Sequence, residues 1–324
     1  MIILNGEQVK ALLPMAKCIE LMEAAMLETS KRNVSLPIRW GMQIPTGGMM
    51  GIMPGYLGNP ACFGLKLVNI FPQNAGTEYS SHIGCMMLFE PEHGVPLAIL
   101  DAAEVTAIRT AATSALATKY LAKQDASVLA IIGTGEEALT HLRALPYVRD
   151  FKEIRIWGRT QDNATKLAST IAKEIAVPIS VRNTIEEAIS GADVVCTVTS
   201  ASTPILAGKY LEPGMHLNVV GSSVKENSEI DREAVLRSKY YVDYRPMTLS
   251  QAGEFLEALE SGSCDESHIV GEIGEVINGQ VNARSNDQEI TLYRSLGALS
   301  QDLIVAHYLY EQAKIQQAGV MVDF

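Results

Sequence analysis

The sequence predicts an α/β protein of two domains: a doubly wound parallel sheet over residues 119–301 and a second α/β domain with a mixed sheet over 1–118 plus 302–324. Three observations lead there. From Ser127 onward, apolar strand-like runs alternate regularly with helical stretches, the pattern of βαβ units around a parallel sheet. Before Asp101, β-rich runs follow one another with Gly and Pro punctuation, which suits a mixed or antiparallel sheet. Finally, 324 residues with 47% hydrophobic and 19% charged side chains can furnish each domain with a core.

Taken in order, the chain opens with a helical stretch, ALLPMAKCIELMEAAMLETSK, followed by the strand-like runs LPIRWGMQI, MMGIMPGYL, FGLKLVNIF, IGCMMLF and VPLAILD. The alanine-rich EVTAIRTAATSALATKYLA is built from strong helix formers and links the two domains. Strands are expected at SVLAIIG, EIRIWG, PISVR, VVCTVT, HLNVVG and YYVDY, with helices between them. The closing stretch TLYRSLGALSQDLIVAHYLYEQAKIQ has apolar positions at helical spacing, which predicts one last helix packed on the first domain.

Charge and cysteines narrow the function. A formal net charge of -11 offers no basic patch for nucleic acid. The five cysteines are scattered, with no C-x-x-C metal spacing, and suit a reducing cytoplasm. No apolar run approaches the ~20 residues that span a bilayer, and the N-terminus lacks the pattern of a secretory signal, so no membrane partner is expected.

The sharpest motif is Gly133-Thr134-Gly135-Glu136-Glu137-Ala138, between the apolar run VLAII and a helix. Gly133 permits the tight turn, Gly135 lets backbone approach a pyrophosphate, and Ala138 allows close helix–strand packing. The helix N-terminus offers amides and a positive dipole end to phosphate, so the Glu136 and Glu137 side chains are expected to point away from it. These features describe a Rossmann-type domain and a nicotinamide-dependent oxidoreductase. Where an NAD site usually carries an acid for the ribose, the chain reads Trp157-Gly158-Arg159-Thr160. Arg159 favours the 2′-phosphate of NADPH without excluding NADH.

Three cations sit in otherwise apolar segments: Arg39, Lys66 and Arg109. Charges are rarely buried unless paired, so each alone reads as a structural ion pair; together, beside a nucleotide domain, they point to a carboxylate ligand.

The ordered segments MPGYL, GLKLVN, SHIGCMMLFEPEHGVPLAILD, AIRTAATSALATKYLA, IIGTGEEA, IRIWGRT, GADVVCTVT and LNVVGSS resemble the ornithine cyclodeaminase/μ-crystallin family over essentially the whole chain. The resemblance implies a homodimer formed through the first-domain sheet, a nicotinamide cofactor, and amino acids or their imino or cyclic ketimine counterparts as substrates. It places Arg39, Lys66 and Arg109 on the substrate carboxylate and makes Lys66 the proton donor or acceptor. His82 is a candidate for an additional polar group, with a packed or hydrogen-bonded histidine as its other reading. Thr199, Val220 and Gly221 fall in its cofactor segments. The chain departs from it at Ser223, where the family's ornithine cyclodeaminases carry an aspartate. A hydroxyl cannot serve as a carboxylate base, so the match is closer to the ketimine-reductase branch.

The leading expectation is reduction of a 2-imino acid or ketimine to the L-amino acid, iminosuccinate to aspartate being one candidate through Lys225; the reverse reaction is an amino-acid dehydrogenase. Two alternatives are a lyase of the ornithine cyclodeaminase type, with Asp231 or Glu229 replacing the missing acid, and a non-catalytic NADP-dependent binder of small ligands.

Overall fold

The computed structural model describes residues 1–74, 77–80 and 82–323, which form two compact units. The first unit is Met1–Arg109 with Gly297–Phe324, and the second is Thr110–Leu296. These divisions lie at 109 and 296, ahead of the expected 118 and 301, and bring Gly297 and Gln301 into the first unit.

In the first unit, β1 (Ile2–Leu4), α1 (Gly6–Leu12) and α2 (Met15–Ser30) precede β2 (Val34–Ser35), β3 (Trp40–Ile44), β4 (Gly48–Gly58), β5 (Ala61–Ile70), β6 (His82–Phe89) and β7 (Pro96–Asp101). Then α3 (Ala102–Leu121) carries the chain into the second unit. The opening helix expected to be continuous is two, because Pro14 cannot continue α1 and instead stands in extended backbone just before α2.

The second unit runs β8 (Val128–Ile132), α4 (Glu136–Ala144), β9 (Glu153–Trp157), α5 (Gln161–Ile171), β10 (Ile179–Val181), α6 (Ile185–Ile189), β11 (Val194–Thr197) and β12 (His216–Val219). It continues with α7 (Arg232–Arg237), β13 (Lys239–Val242), α8 (Arg245–Gln251), α9 (Gly253–Glu260), β14 (Ile269–Glu272), α10 (Ile273–Ile277) and β15 (Thr291–Arg294). The chain returns to the first unit with α11 (Leu299–Gln316) and β16 (Val320–Met321).

The first sheet has the order β16-β1-β7-β6-β5-β4-β2, with β3 also on β4. It is mixed: β1 runs parallel to β7, and the other pairs are antiparallel. The register gives its faces opposite characters. Met53, Leu57, Cys62, Met86, Leu88, Ala98 and Leu100 are buried and share one face. That face receives α11: a Cβ on Gly55 would lie 3.0 Å from Leu299, and one on Gly64 3.3 Å from Leu303. The opposite face carries Trp40, Ile52, Leu65, Leu67 and Met87, none of them fully buried.

The second sheet, β10-β9-β8-β11-β12-β15-β13-β14, is parallel throughout. Strands β11, β12 and β15 are buried at every position, as expected of a sheet covered on both faces. The segment TLYR, expected to be helical, is β15, pairing with β12 and β13, and β14 was not anticipated at all. Strand order reverses between β8 and β11, so the crevice beyond their carboxyl ends is the ligand position of this architecture. Among the described residues no helix is long and apolar enough to cross a membrane.

Candidate active site

In the second unit, the glycine turn stands at that strand reversal. Gly133 has φ 136°, and a Cβ there would lie 2.6 Å from the Val198 carbonyl oxygen, so neither conformation nor space admits a side chain. Gly135 is the N-cap of α4 and makes no side-chain cap; a Cβ on it would meet nothing within 4 Å. Its smallness therefore serves no protein neighbour and leaves the first amides of a nine-residue helix approachable by an anion. Ala138 is fully buried, as close packing of α4 requires. Glu136 is exposed, and Glu137 lies along α4, its carboxylate 3.6 Å from buried His141. Thr134 packs where Gly158 leaves room: a Cβ on Gly158 would come within 2.3 Å of its methyl. Arg159 and Thr160 are exposed just past β9, Thr160 at the N-cap of α5.

Glu229, weighed from sequence as a replacement acid, has a different task. It is fully buried and accepts four hydrogen bonds, from Thr199 N at 2.6 Å, Thr199 Oγ1 at 2.7 Å, Thr197 Oγ1 at 2.8 Å and Gly221 N at 2.6 Å. Burial pushes its carboxyl above the usual range despite these donors. It thereby ties the end of β11 to the loop after β12, where a Cβ on Gly221 would lie 2.0 Å from the Thr199 carbonyl oxygen. Val220 is buried, its amide bonded to Thr197 O at 3.0 Å. Buried Arg294, paired with Glu254, holds the same loop by donating to Val219 O at 3.1 Å and Ser222 O at 2.5 Å. Asp231 is likewise occupied: it caps α7 through Ala234 N at 2.9 Å and receives Gly208 N at 2.8 Å. Ser223 is half-buried in the loop, and Lys225 is exposed.

The first unit brings the cations together. Lys66, in the middle of β5, points its side chain to the buried face and is 3% exposed; Arg109, on α3, is 4% exposed. Both reach Asp302 on the first turn of α11, with Lys66 Nζ at 2.9 Å and Arg109 Nε at 3.1 Å from the same oxygen. Lys66 also donates to Thr106 Oγ1 at 3.3 Å, and Arg109 Nη1 to Gln301 Oε1 at 2.8 Å. Gly297, at φ 82°, lets the guanidinium lie against the backbone: a Cβ there would sit 2.9 Å from both terminal nitrogens. Burial lowers the Lys66 ammonium, Asp302 opposes this, and the neighbouring charges of Arg109 and Arg39 lower it further, leaving it at about 8. Burial alone would raise Asp302, but Arg109 and Lys66 outweigh it and hold the carboxyl below its ordinary range. Arg39 is half-buried just before β3. His82 opens β6 opposite Ile70, four residues along the strand pair from Lys66 and its partner Met86, and is exposed. Its neighbour Ser81 lies outside the described residues.

Asp302, Gln301, Gly297 and Thr106 were not singled out from sequence. Asp302 is separated from Lys66 by 236 positions, so only the fold reveals the pairing.

The profile of the ornithine cyclodeaminase/mu-crystallin family matches residues 1–317. The chain belongs to this family. It is similar to the ketimine reductase mu-crystallin of Mus musculus, 37% identical over 294 residues that cover 90% of each chain. It is also 33% identical over 326 residues to the Delta(1)-pyrroline-2-carboxylate reductase of Bacillus cereus, covering 100% of both. Among solved structures, the Thermococcus litoralis Delta(1)-pyrroline-2-carboxylate reductase in complex with NADH and L-proline superposes with a TM-score of 0.96 at 32% identity, covering 99% of this chain and 100% of that one.

Proposed function

We propose that the protein is an NAD(P)H-dependent reductase of 2-imino acids or cyclic ketimines, forming the L-amino acid. The observation that carries this reading is the buried Lys66–Asp302–Arg109 cluster, with its lysine at about 8. A general acid is most effective when its pKa lies near the working pH. In the first unit, Arg109 and Arg39 receive the substrate carboxylate, and Lys66 delivers a proton from Nζ to the imine nitrogen, then recovers one from solvent. When bound, a reduced nicotinamide supplies the hydride that the imine carbon accepts. In the second unit, Gly133, Thr134, Gly135 and the amides of α4 hold the pyrophosphate; Thr199, Val220 and Gly221 form the adjoining wall that Glu229 and Arg294 fix. The names of the relatives, which match nearly the whole chain, support the same reaction class.

The lyase reading is weaker, because Glu229 and Asp231 are both spent on backbone and hydroxyl donors and Ser223 supplies no carboxylate. The binder reading is weaker because Lys66 and both arginines are retained, with Lys66 and Arg109 on the same buried carboxylate of Asp302. A cyclic 2-imino acid of the proline type is the first substrate to test; iminosuccinate, whose second carboxylate would meet exposed Lys225, is the second. Arg159, exposed just past β9, would pair with a 2′-phosphate; on that reading NADPH is preferred and Arg159→Ala lowers the NADPH-to-NADH ratio of kcat/KM about tenfold or more. The partly exposed apolar face of the first sheet forms a homodimer. All five cysteines are free thiols, in keeping with the cytoplasm.

The experiment follows oxidation of NADPH and NADH at the nicotinamide absorbance with cyclic ketimines, and with oxaloacetate, pyruvate or glyoxylate with and without ammonia or methylamine. Turnover of a ketimine, or amine-dependent turnover of a keto acid, supports the reading. Ammonia release from ornithine with no turnover in the panel replaces it with the lyase; silence in both assays leaves the binder.

A further inference from the structure

Asp302 has no exposed surface, and a single one of its oxygens serves two buried cations from different elements. Buried charges require a counter-charge in close geometry, and two cations brought together without one would drive the weaker to its neutral form. We propose that Asp302 is a positioning residue of the reductive site: it fixes the Lys66 ammonium beside the Arg109 guanidinium and keeps the lysine charged, so that a bound imino acid meets a proton and not a lone pair. This rests on the reading of Lys66 as the proton donor.

The groups facing the lysine divide by sign. Arg109 on α3 and Arg39 ahead of β3 both disfavour its charged form, Thr106 on α3 is a neutral acceptor, and Asp302 on α11 favours the charge. Cys18 on α2, which also senses Arg109 and Asp302, is a neutral thiol because burial pushes its titration up. Asp302 is therefore what offsets burial and two arginines. Gln301, its neighbour on α11, takes Arg109 Nη1 and directs the guanidinium edge so that Nε meets the carboxylate. In the step served, the imine π bond becomes one N–H bond, with the proton from Lys66 Nζ, and one C–H bond, with the hydride from the dihydronicotinamide. The lysine is left neutral and the nicotinamide oxidised.

The test is the pH dependence of kcat/KM for NAD(P)H-dependent reduction of Δ1-pyrroline-2-carboxylate in wild type, Asp302→Asn, Asp302→Glu and Lys66→Arg. Wild type should lose activity as pH rises through about 8. In Asp302→Asn that limb moves down by about one unit or more, since an adjacent opposite charge is worth ~1–3 units. At pH 8 this variant should lose about fivefold more than at pH 6, or more where the limb moves further, and Asp302→Glu should restore the limb. The substrate's own ionisation is common to all four proteins, so differences report the lysine. A uniform loss at every pH, with the midpoint unmoved, overturns the proposal and leaves Asp302 purely structural. If Asp302→Asn does not fold, Lys66→Arg decides: its guanidinium does not titrate, so persistence of the wild-type limb overturns the proposal and its disappearance supports it. If wild type reduces no imine, calorimetry of pyrrole-2-carboxylate binding in buffers of different ionisation enthalpy reads the same group. Proton linkage with a midpoint near 8 that falls in Asp302→Asn then upholds the role of Asp302 while the reductase reading fails; absence of linkage in wild type overturns both.

Discussion

Lys66 is held where a lysine is costly, on the buried face of a central strand, and that cost is what tunes it. Its replacement by Met should lower kcat/KM by about 100-fold or more, the range of a general acid, while circular dichroism stays native. A variant that keeps wild-type turnover removes Lys66 from the chemistry. Above about pH 8 the wild-type lysine becomes neutral, so the reductive rate should fall on the alkaline side. The cations were legible in the sequence because isolated charges stand out in FGLKLVN and AIRTAAT. Their counter-ion was not, because Asp302 sits in a helix whose apolar neighbours make it read as an ordinary first-turn acid.

At the scale of elements, two glycines of the second unit separate a structural need from a ligand's. Gly221→Ala would drive a Cβ against the Thr199 carbonyl and the Glu229 carboxylate, so both thermal stability and cofactor affinity should fall. Gly135→Ala meets open space, so its melting temperature should match wild type while its affinity for NAD(P)H, read by quenching of intrinsic fluorescence, falls about tenfold or more. Unchanged affinity in Gly135→Ala would move the pyrophosphate away from the α4 N-terminus. The turn could be read from sequence since strand, glycines and helix are contiguous. Strand β15 could not: four residues, buried on both faces, carry no alternation, and they precede a long helix whose periodicity absorbed them. Glu229 shows a related ambiguity, since a buried acid serving four donors and a catalytic acid look alike in one dimension.

For the whole molecule, the mixed sheet leaves Trp40, Ile52, Leu65, Leu67 and Met87 on the face opposite α11, a contiguous apolar area of the sort that marks a protein interface. On the proposal that this face forms a homodimer, wild type should be a dimer by light scattering and Leu67→Arg, in the middle of the face, a monomer; a monomeric wild type would overturn the proposed dimer, and a dimeric variant would place the interface elsewhere. The two-unit plan was legible in the change of pattern after Asp101, but the boundaries were not, because α3 runs unbroken from the first unit into the second.

The most direct test of imine reduction uses NADH deuterated at C4, in each of its two stereochemical forms, with Δ1-pyrroline-2-carboxylate, and reads the product by mass spectrometry and NMR. One form should deliver its deuterium to C2 of L-proline, with one equivalent of cofactor oxidised per product. Product without deuterium from either form, or ammonia released from ornithine with no net cofactor oxidation, would contradict it.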